Sequence, residues 1–366
     1  VVFYRDGDGD RAQETFERKR DADARQAEIK TAMRAGTHVA TSKSPTVAQA
    51  GQNWIRAAEA HGLERSTIKQ YREHLNLHIV PLIGATRLAD ISAAAVRRFQ
   101  DRLGASGRSP AMIRKIVRSL GTLLADAQER GLVGKNAVRD LSRRRTTRQQ
   151  ETKLEVGKHI PTPQEILRIL SHAQSRWRPL IYTAVFTGLR ASELRGLRWS
   201  DVDFKAGELR VRQRADRFNA IGKPKSSAGT RKVPFGKVLA TVLKEWKLAC
   251  PKGELDLVFP SGAGKIEGLA NIRTRGLIPT QIAAGVVDRS GQAKYPGIHA
   301  LRHFYASWCI NRLEDGGLEL PPKVVQERLG HAKIGITLDT YGHLFPRGDD
   351  AAQIDAAELR LIRGER

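Results

Sequence analysis

Apolar residues recur at helical spacing through the front half of the chain, and the pattern becomes mixed from Ile160 onward. Thr46 is positioned to cap a helix running to about His61. A second helix, capped by Ser66 or Thr67, carries Ile68, Tyr71, Leu75 and Ile79 on one stripe and ends at Pro81 and Gly84. Ser92 opens a third, with Val96, Phe99 and Leu103 facing inward. Ser109-Pro110 opens a fourth that reaches Gly131, with Ile113, Ile116, Val117, Leu120, Leu123 and Leu124 apolar. Four such helices predict a compact bundle over 45–140.

Ahead of the bundle, Phe3-Tyr4-Arg5, Gly7, Gly9 and Thr15-Phe16-Glu17 predict two short strands around a turn. A helix follows from Asp21 to Ala35 and stops at Gly36. Behind the bundle, 141–159 reads as a basic linker. Its Arg143, Arg144 and Arg145 suit both a solvated connection and a strap across a duplex backbone. Thr162-Pro163-Gln164-Glu165 then forms a capping signal before Ile166, Leu167, Ile169 and Leu170. An apolar helix is expected from Arg178 to Gly188, a strand over 208–212, and the end of another at Val233-Pro234-Phe235. Helices return at 237–248, 299–313, 322–329 and 350–363. The fold class expected is mainly α with a small β-sheet, an α+β chain.

Composition narrows the partners. At 366 residues the chain is long enough for two or three domains. Its 63 Lys+Arg against 39 Asp+Glu leave a formal charge of +24, which calls for a polyanion or an anionic surface. No run approaches the ~20 apolar residues of a spanning helix, and no signal-peptide pattern appears, so a cytoplasmic place is expected and no membrane. Cys250 and Cys309 are far apart and suggest neither a zinc site nor a disulfide framework, so no metal and no cofactor are expected. The chain opens on Val1 rather than Met, and further residues are expected upstream.

Five segments carry candidate chemistry. In Thr187-Gly188-Leu189-Arg190-Ala191-Ser192-Glu193-Leu194, Gly188 closes one helix and Arg190 opens the next, where its fork can meet a phosphate. Glu193 lies one turn on and can orient a basic neighbour. Lys223 to Pro234 reads as a hairpin with a polar turn, in which Lys225 can reach a phosphate or donate a proton, with Lys223 and Arg231 as further basic contacts. His299-Ala300-Leu301-Arg302-His303 sets His299 and Arg302 on one helical face, able to hold two oxygens of one phosphate, and leaves His303 as a packing residue. Leu329-Gly330-His331 presents His331 at a helix end. Thr337-Leu338-Asp339-Thr340-Tyr341-Gly342-His343 supplies Tyr341. Singly, each has a bland explanation. Together they form a kit for attacking a phosphodiester: arginines for transition-state charge, Lys and His for protons, Tyr for the covalent bond.

This set, in this order, resembles the tyrosine recombinases of the phage integrase type over about residues 45–345. The resemblance implies that Arg190 and Arg302 clamp the phosphate. Lys225 is implied as the acid for the leaving 5′-oxygen, and His299 and His331 as the two site histidines. Glu193 supports the site, and Tyr341 attacks to give a 3′-phosphotyrosyl intermediate. It implies a C-shaped clamp on double-stranded DNA made of a core-binding bundle at 45–140 and a catalytic domain at 160–366. Residues 1–40 resemble part of an arm-site-binding domain. The working assembly implied is a homotetramer on attachment sites, monomer or dimer when free, with accessory bending or directionality factors and a nucleoid location. The tail helix with Ile354, Ala357, Leu359 and Leu361 is implied to dock on a neighbouring protomer. A type IB topoisomerase shares the chemistry, but the arm-like front and tail helix favour recombination. A catalytically idle DNA-binding regulator is disfavoured by the complete residue set, and a metal-dependent nuclease by the lack of a carboxylate cluster.

Overall fold

A computed structural model of the chain describes residues 1–5, 11–34, 44–141, 153–346 and 350–364. It forms two compact units, residues 1–148 and 149–366. Gly7, Gly9, Gly36, Arg143, Arg144 and Arg145 lie outside the described residues.

The first unit opens with strands β1 (Val2–Arg5) and β2 (Arg11–Glu14), antiparallel with Val2 opposite Glu14. The second strand therefore precedes Thr15-Phe16-Glu17, where the sequence pattern put it. Helix α1 (Lys19–Arg34) buries Ile29.

The bundle consists of α2 (Val47–Ala60), α3 (Arg65–His74), α4 (Val80–Ile83), α5 (Ala93–Ala105) and α6 (Pro110–Glu129). Thr46, Ser92 and Ser109 accept the N3 amides of α2, α5 and α6, as their positions predict. Thr46 completes a capping box with Gln49. Helix α3 differs. It starts one residue before Ser66, and Glu64 caps it without a side-chain bond. Pro81 does not end it, because a π-turn over Leu75–Ile79 widens the ladder just ahead of the missing Pro81 amide and α4 continues to Gly84. Leu75, Ile79, Val96, Phe99, Leu103, Ile116 and Leu120 fill one core, and Trp54 stacks on Tyr71 at 4.3 Å. Burying each such side chain contributes about 1.5–3 kcal/mol.

The second unit is α+β. Its helices are α7 (Pro163–His172), α8 (Trp177–Thr187) and α9 (Ala191–Gly196), followed by the strands β3 (Val202–Asp203), β4 (Glu208–Val211), β5 (Arg214–Ala215), β6 (Ile221–Gly222) and β7 (Arg231–Pro234). Then come α10 (Lys237–Ala249), α11 (Leu269–Asn271), α12 (Ile278–Ala283), α13 (His299–Ile310), α14 (Pro322–Leu329), α15 (Ile334–Tyr341) and α16 (Asp350–Arg363). Thr162 and Glu165 form the predicted capping box of α7. The sheet order is β3-β4-β7, antiparallel throughout, with Leu209 opposite Val233 and Val211 opposite Arg231. Leu209, Val211 and Val233 share the buried face, as the period of two requires. Residues 223–234 are not a hairpin of their own. The hairpin is β5–β6, closed by Asp216, whose Oδ1 accepts the Phe218 and Ala220 amides. Lys223 to Thr230 is the loop that returns the chain to β7.

Two glycines shape the site. Gly188 ends α8 at φ +58°, and a Cβ there would meet the Tyr305 ring at 2.4 Å. Gly330 ends α14 at φ +64°, and a Cβ there would meet Arg231 Nη1 at 2.8 Å and Ala228 O at 2.9 Å. Both need a left-handed backbone and an empty side chain. Among the described residues no helix is long and apolar enough to cross a membrane.

Candidate active site

Five separate pieces of chain meet around one buried carboxylate. Arg190 caps α9, and its amide and its Nη1 donate to Glu193 at 2.9 and 2.7 Å. Its Nη2 donates to Gly330 O at 3.0 Å. Arg231, at the start of β7, donates through Nη1 and Nη2 to the two oxygens of Glu193 at 3.1 and 2.9 Å. Its Nε donates to Arg328 O at 2.7 Å. The side chains of Arg231 and Glu193 are 6% and 3% exposed, so Arg231 is not the surface contact its sequence position suggested. Nε and both terminal nitrogens of Arg231 are committed within the protein.

Arg302 enters from α13 and is 2% exposed. Its Nη1 donates to Gly188 O at 2.7 Å, and its Nη2 to Leu329 O at 2.5 Å and to His331 Nε2 at 3.2 Å. Arginine has no acceptor, so Nε2 of His331 must accept. The proton of the neutral ring then sits on Nδ1 and is donated to Thr337 Oγ1 at 2.9 Å. Thr337 thus orients His331, a role its sequence position did not disclose.

Tyr341 closes the set from the end of α15, only 1% exposed. Its ring lies parallel to that of His331, with centroids 6.5 Å apart. Its hydroxyl lies 2.7 Å from Nδ1 of His303, the residue expected only to pack. His299 opens α13, its ring edge-on to that of His303 at 4.6 Å. The signal for His303 was present in its place one residue after Arg302 and one turn after His299.

Lys223 and Lys225 are exposed on the loop before β7. The foot of that loop is anchored near the site, because Gly229 packs against Pro224 and Ala228 against Gly330. Lys225 is thereby carried on a flexible stem from a fixed base beside the turn that bears His331.

Three guanidinium groups surround one carboxylate, leaving two positive charges uncompensated within the cluster. Burial works against the charged form of Glu193, but Arg231 and Arg190 outweigh it and hold the carboxyl at about 2. Burial and Arg190 lower Arg302 to about 9, still cationic at neutral pH. Burial lowers His331 to about 4, helped by Arg302 and Arg190, and lowers His303 to about 4, helped by His299 and Arg302. Burial raises Tyr341 to about 12, while Arg302 and Arg190 pull against it. The site therefore offers fixed positive charge, neutral imidazoles and a protonated phenol. Arg190, with 35% of its side chain exposed, is the guanidinium open to an incoming anion.

Comparison with known proteins gives the family. Residues 161–347 match the Phage integrase family, and residues 46–104 match the phage integrase N-terminal SAM-like domain. The chain belongs to the phage integrase family. A tyrosine recombinase XerC-like protein of Caldanaerobacter subterraneus subsp. tengcongensis is 26% identical over 376 aligned positions, covering 95% of this chain and 92% of the relative. In fold, the chain is similar to the Tn1549 transposon integrase, solved in complex with a circular intermediate DNA. The TM-score is 0.67 at 21% identity, covering 86% of this chain and all of that one. It is also similar to a lambda integrase tetramer bound to a Holliday junction, with a TM-score of 0.59 at 18% identity over 95% and 94% of the two chains. As a tyrosine recombinase, the chain is an enzyme of site-specific DNA recombination.

Removing Glu193 strands buried cations. Glu193→Ala is expected to lower the unfolding free energy by about 3–5 kcal/mol, and Arg231→Ala by a similar amount. Denaturant titration checks both; a cost below about 1 kcal/mol at Arg231 would restore its surface role. Acid acts on the histidines. His303 and His331 titrate near 6.5 when unfolded and near 4 when folded, so the folded state binds fewer protons. Their contribution is full above about pH 6.5 and is lost as pH falls through 4. Stability should fall across that window by up to about 1.4 kcal/mol per pH unit per group. His331→Asn should flatten the slope, and an unchanged slope would assign the acid sensitivity elsewhere.

Proposed function

We propose that Tyr341 attacks a phosphodiester of double-stranded DNA, forming a 3′-phosphotyrosyl bond and releasing a 5′-hydroxyl. The observation that carries this is the surplus of guanidinium charge around Glu193, with Arg190 open to an anion and Tyr341 within the field of Arg190 and Arg302. Arg190 and Arg302 hold the non-bridging oxygens and stabilise the charge of the pentavalent transition state. Arg190 is reachable as it stands, whereas Arg302, 2% exposed and donating to Gly188 O and Leu329 O, has to be uncovered as the phosphate seats. Lys225 gives a proton to the leaving 5′-oxygen, and His299 and His331 complete the wall of the site. The phosphotyrosine keeps the energy of the broken ester, so rejoining needs no nucleotide cofactor.

On this reading, residues 160–366 carry out the chemistry and 45–140 hold the core site. Residues 1–40 contribute an arm-site module, and 141–159 with Arg143, Arg144 and Arg145 supply a basic strap. Lys223 adds a backbone contact from the loop. The likeness to a lambda integrase tetramer on a Holliday junction supports a tetramer as the synaptic form. The net charge of +24 supports a nucleoid-bound protein in the cytoplasm, with affinity that falls steeply as salt rises. The biological event is integration or excision of a prophage or other mobile element.

Nicked suicide duplexes tiled from DNA flanking the coding sequence test the proposal, incubated in EDTA and resolved in detergent. The wild-type chain should form a covalent adduct that Tyr341→Phe abolishes and Lys225→Ala slows by about 10²–10⁴. An adduct that survives in Tyr341→Phe would refute the assignment of the nucleophile.

A further inference from the structure

We infer that His303 takes the phenolic proton of Tyr341 as the Tyr341–phosphorus bond forms, and returns it when the strand is rejoined. This builds on Tyr341 as the nucleophile. The contact is direct: Nδ1 of His303 lies 2.7 Å from Oη of Tyr341, within the range of a proton-transferring hydrogen bond. The rings meet edge to face, with centroids 5.7 Å apart at 61°. His303 sits one turn into α13 and Tyr341 ends α15, so the pair bridges two rigid elements rather than two loops.

Neither of the other two site imidazoles makes the contact with Tyr341 Oη that His303 makes. His331 has both nitrogens committed, Nε2 to Arg302 and Nδ1 to Thr337. His299 stands edge-on behind His303 at 4.6 Å. His303 is therefore the imidazole whose nitrogen meets the reacting oxygen. Burial, with His299, Arg302 and His159 in its field, keeps it unprotonated in the free site and weakly basic until a seated phosphate offsets that field. Tyr341 is held as the neutral phenol, so its oxygen must shed a proton to become a competent nucleophile.

The step balances. The Tyr341 oxygen bonds to phosphorus, the bond from phosphorus to the 5′-oxygen breaks, and the phenolic proton moves to Nδ1 of His303. The departing 5′-oxygen takes a proton from Lys225. In rejoining, the 5′-hydroxyl attacks, its proton goes to Lys225, and Nδ1–H of His303 protonates the departing phenolate. The negative phosphate in the site offsets the charge the imidazole gains.

A purely positioning role is separable from proton transfer. His303→Asn sets an amide near the place of Nδ1 that can accept a hydrogen bond but not a proton. Three reactions are compared after thermal melts show each variant folded. On an ordinary suicide duplex, His303→Asn should cut about 10²-fold or more below wild type. With sulfur replacing the scissile 5′-oxygen, which leaves without a proton, Lys225→Ala should recover and His303→Asn should not. On a strand whose 3′-phosphate carries p-nitrophenol instead of tyrosine, joining to a 5′-hydroxyl should proceed within about threefold of wild type in His303→Asn, because that leaving group needs no acid. Cutting by His303→Asn within about tenfold of wild type would overturn the inference. So would an equal loss in the p-nitrophenyl reaction, which would mean a distorted site. Adduct formation by the wild-type chain reports on Tyr341 as nucleophile, and the ratios between variant and wild type report on His303.

Discussion

The second unit is organised around a positive charge that has been taken out of water. Arg302, 2% exposed, survives there because Gly188 O and Leu329 O accept its protons. Those carbonyls lie at the ends of α8 and α14, where helices leave acceptors unpaired. One guanidinium thus fastens two helix ends, and it also fixes the tautomer of His331. Glu193 does the same for Arg190 and Arg231, using both oxygens. The arrangement is stable yet left electrically incomplete. Three cations share one anion, and under the proposed function a phosphate is the anion that would complete the set.

That incompleteness links stability to function. A protein selected only for stability would match the cations with carboxylates or replace them with apolar groups. Under the proposed function, the surplus charge is kept where a pentavalent phosphate would develop its own. The proposed nucleophile is treated in the opposite way. Tyr341 is nearly inaccessible, held as the neutral phenol and hydrogen-bonded to His303. Arg190 lies 151 residues and Arg302 39 residues before Tyr341 in the sequence, and packing of α8, α13, α14 and α15 brings them into one cluster.

Much of this was legible in the sequence where the physics is local. Caps at Thr46, Ser92, Ser109 and Thr162 declare themselves because donor and acceptor lie three residues apart. Gly188 before Arg190 and Gly330 before His331 read correctly as helix ends for the same reason. Other features depend on distant chain. Arg231 looked like a surface cation because only the register with Val211 carries it to Glu193. The true hairpin at β5–β6 was hidden behind a stronger turn signal at 226–229. Helix α15 escaped notice because Gly335 and β-branched Ile334, Ile336 and Thr337 are weak helix formers. The helical stretch from Leu269 to Ala283 was masked by Gly276 and Pro279; its π-turn admits both, and Gly276 leaves room for the Trp177 ring. His303 was missed because periodicity gives the face of a residue and not the atom it meets.

The most direct test of the whole account is the chemical identity of the protein–DNA link. The trapped complex is digested with nuclease and protease, and the peptide containing Tyr341 is sequenced by mass spectrometry. The expected product is a nucleotide joined through its 3′-phosphate to Tyr341. A nucleotide on any other residue, or one joined through a 5′-phosphate, would contradict it.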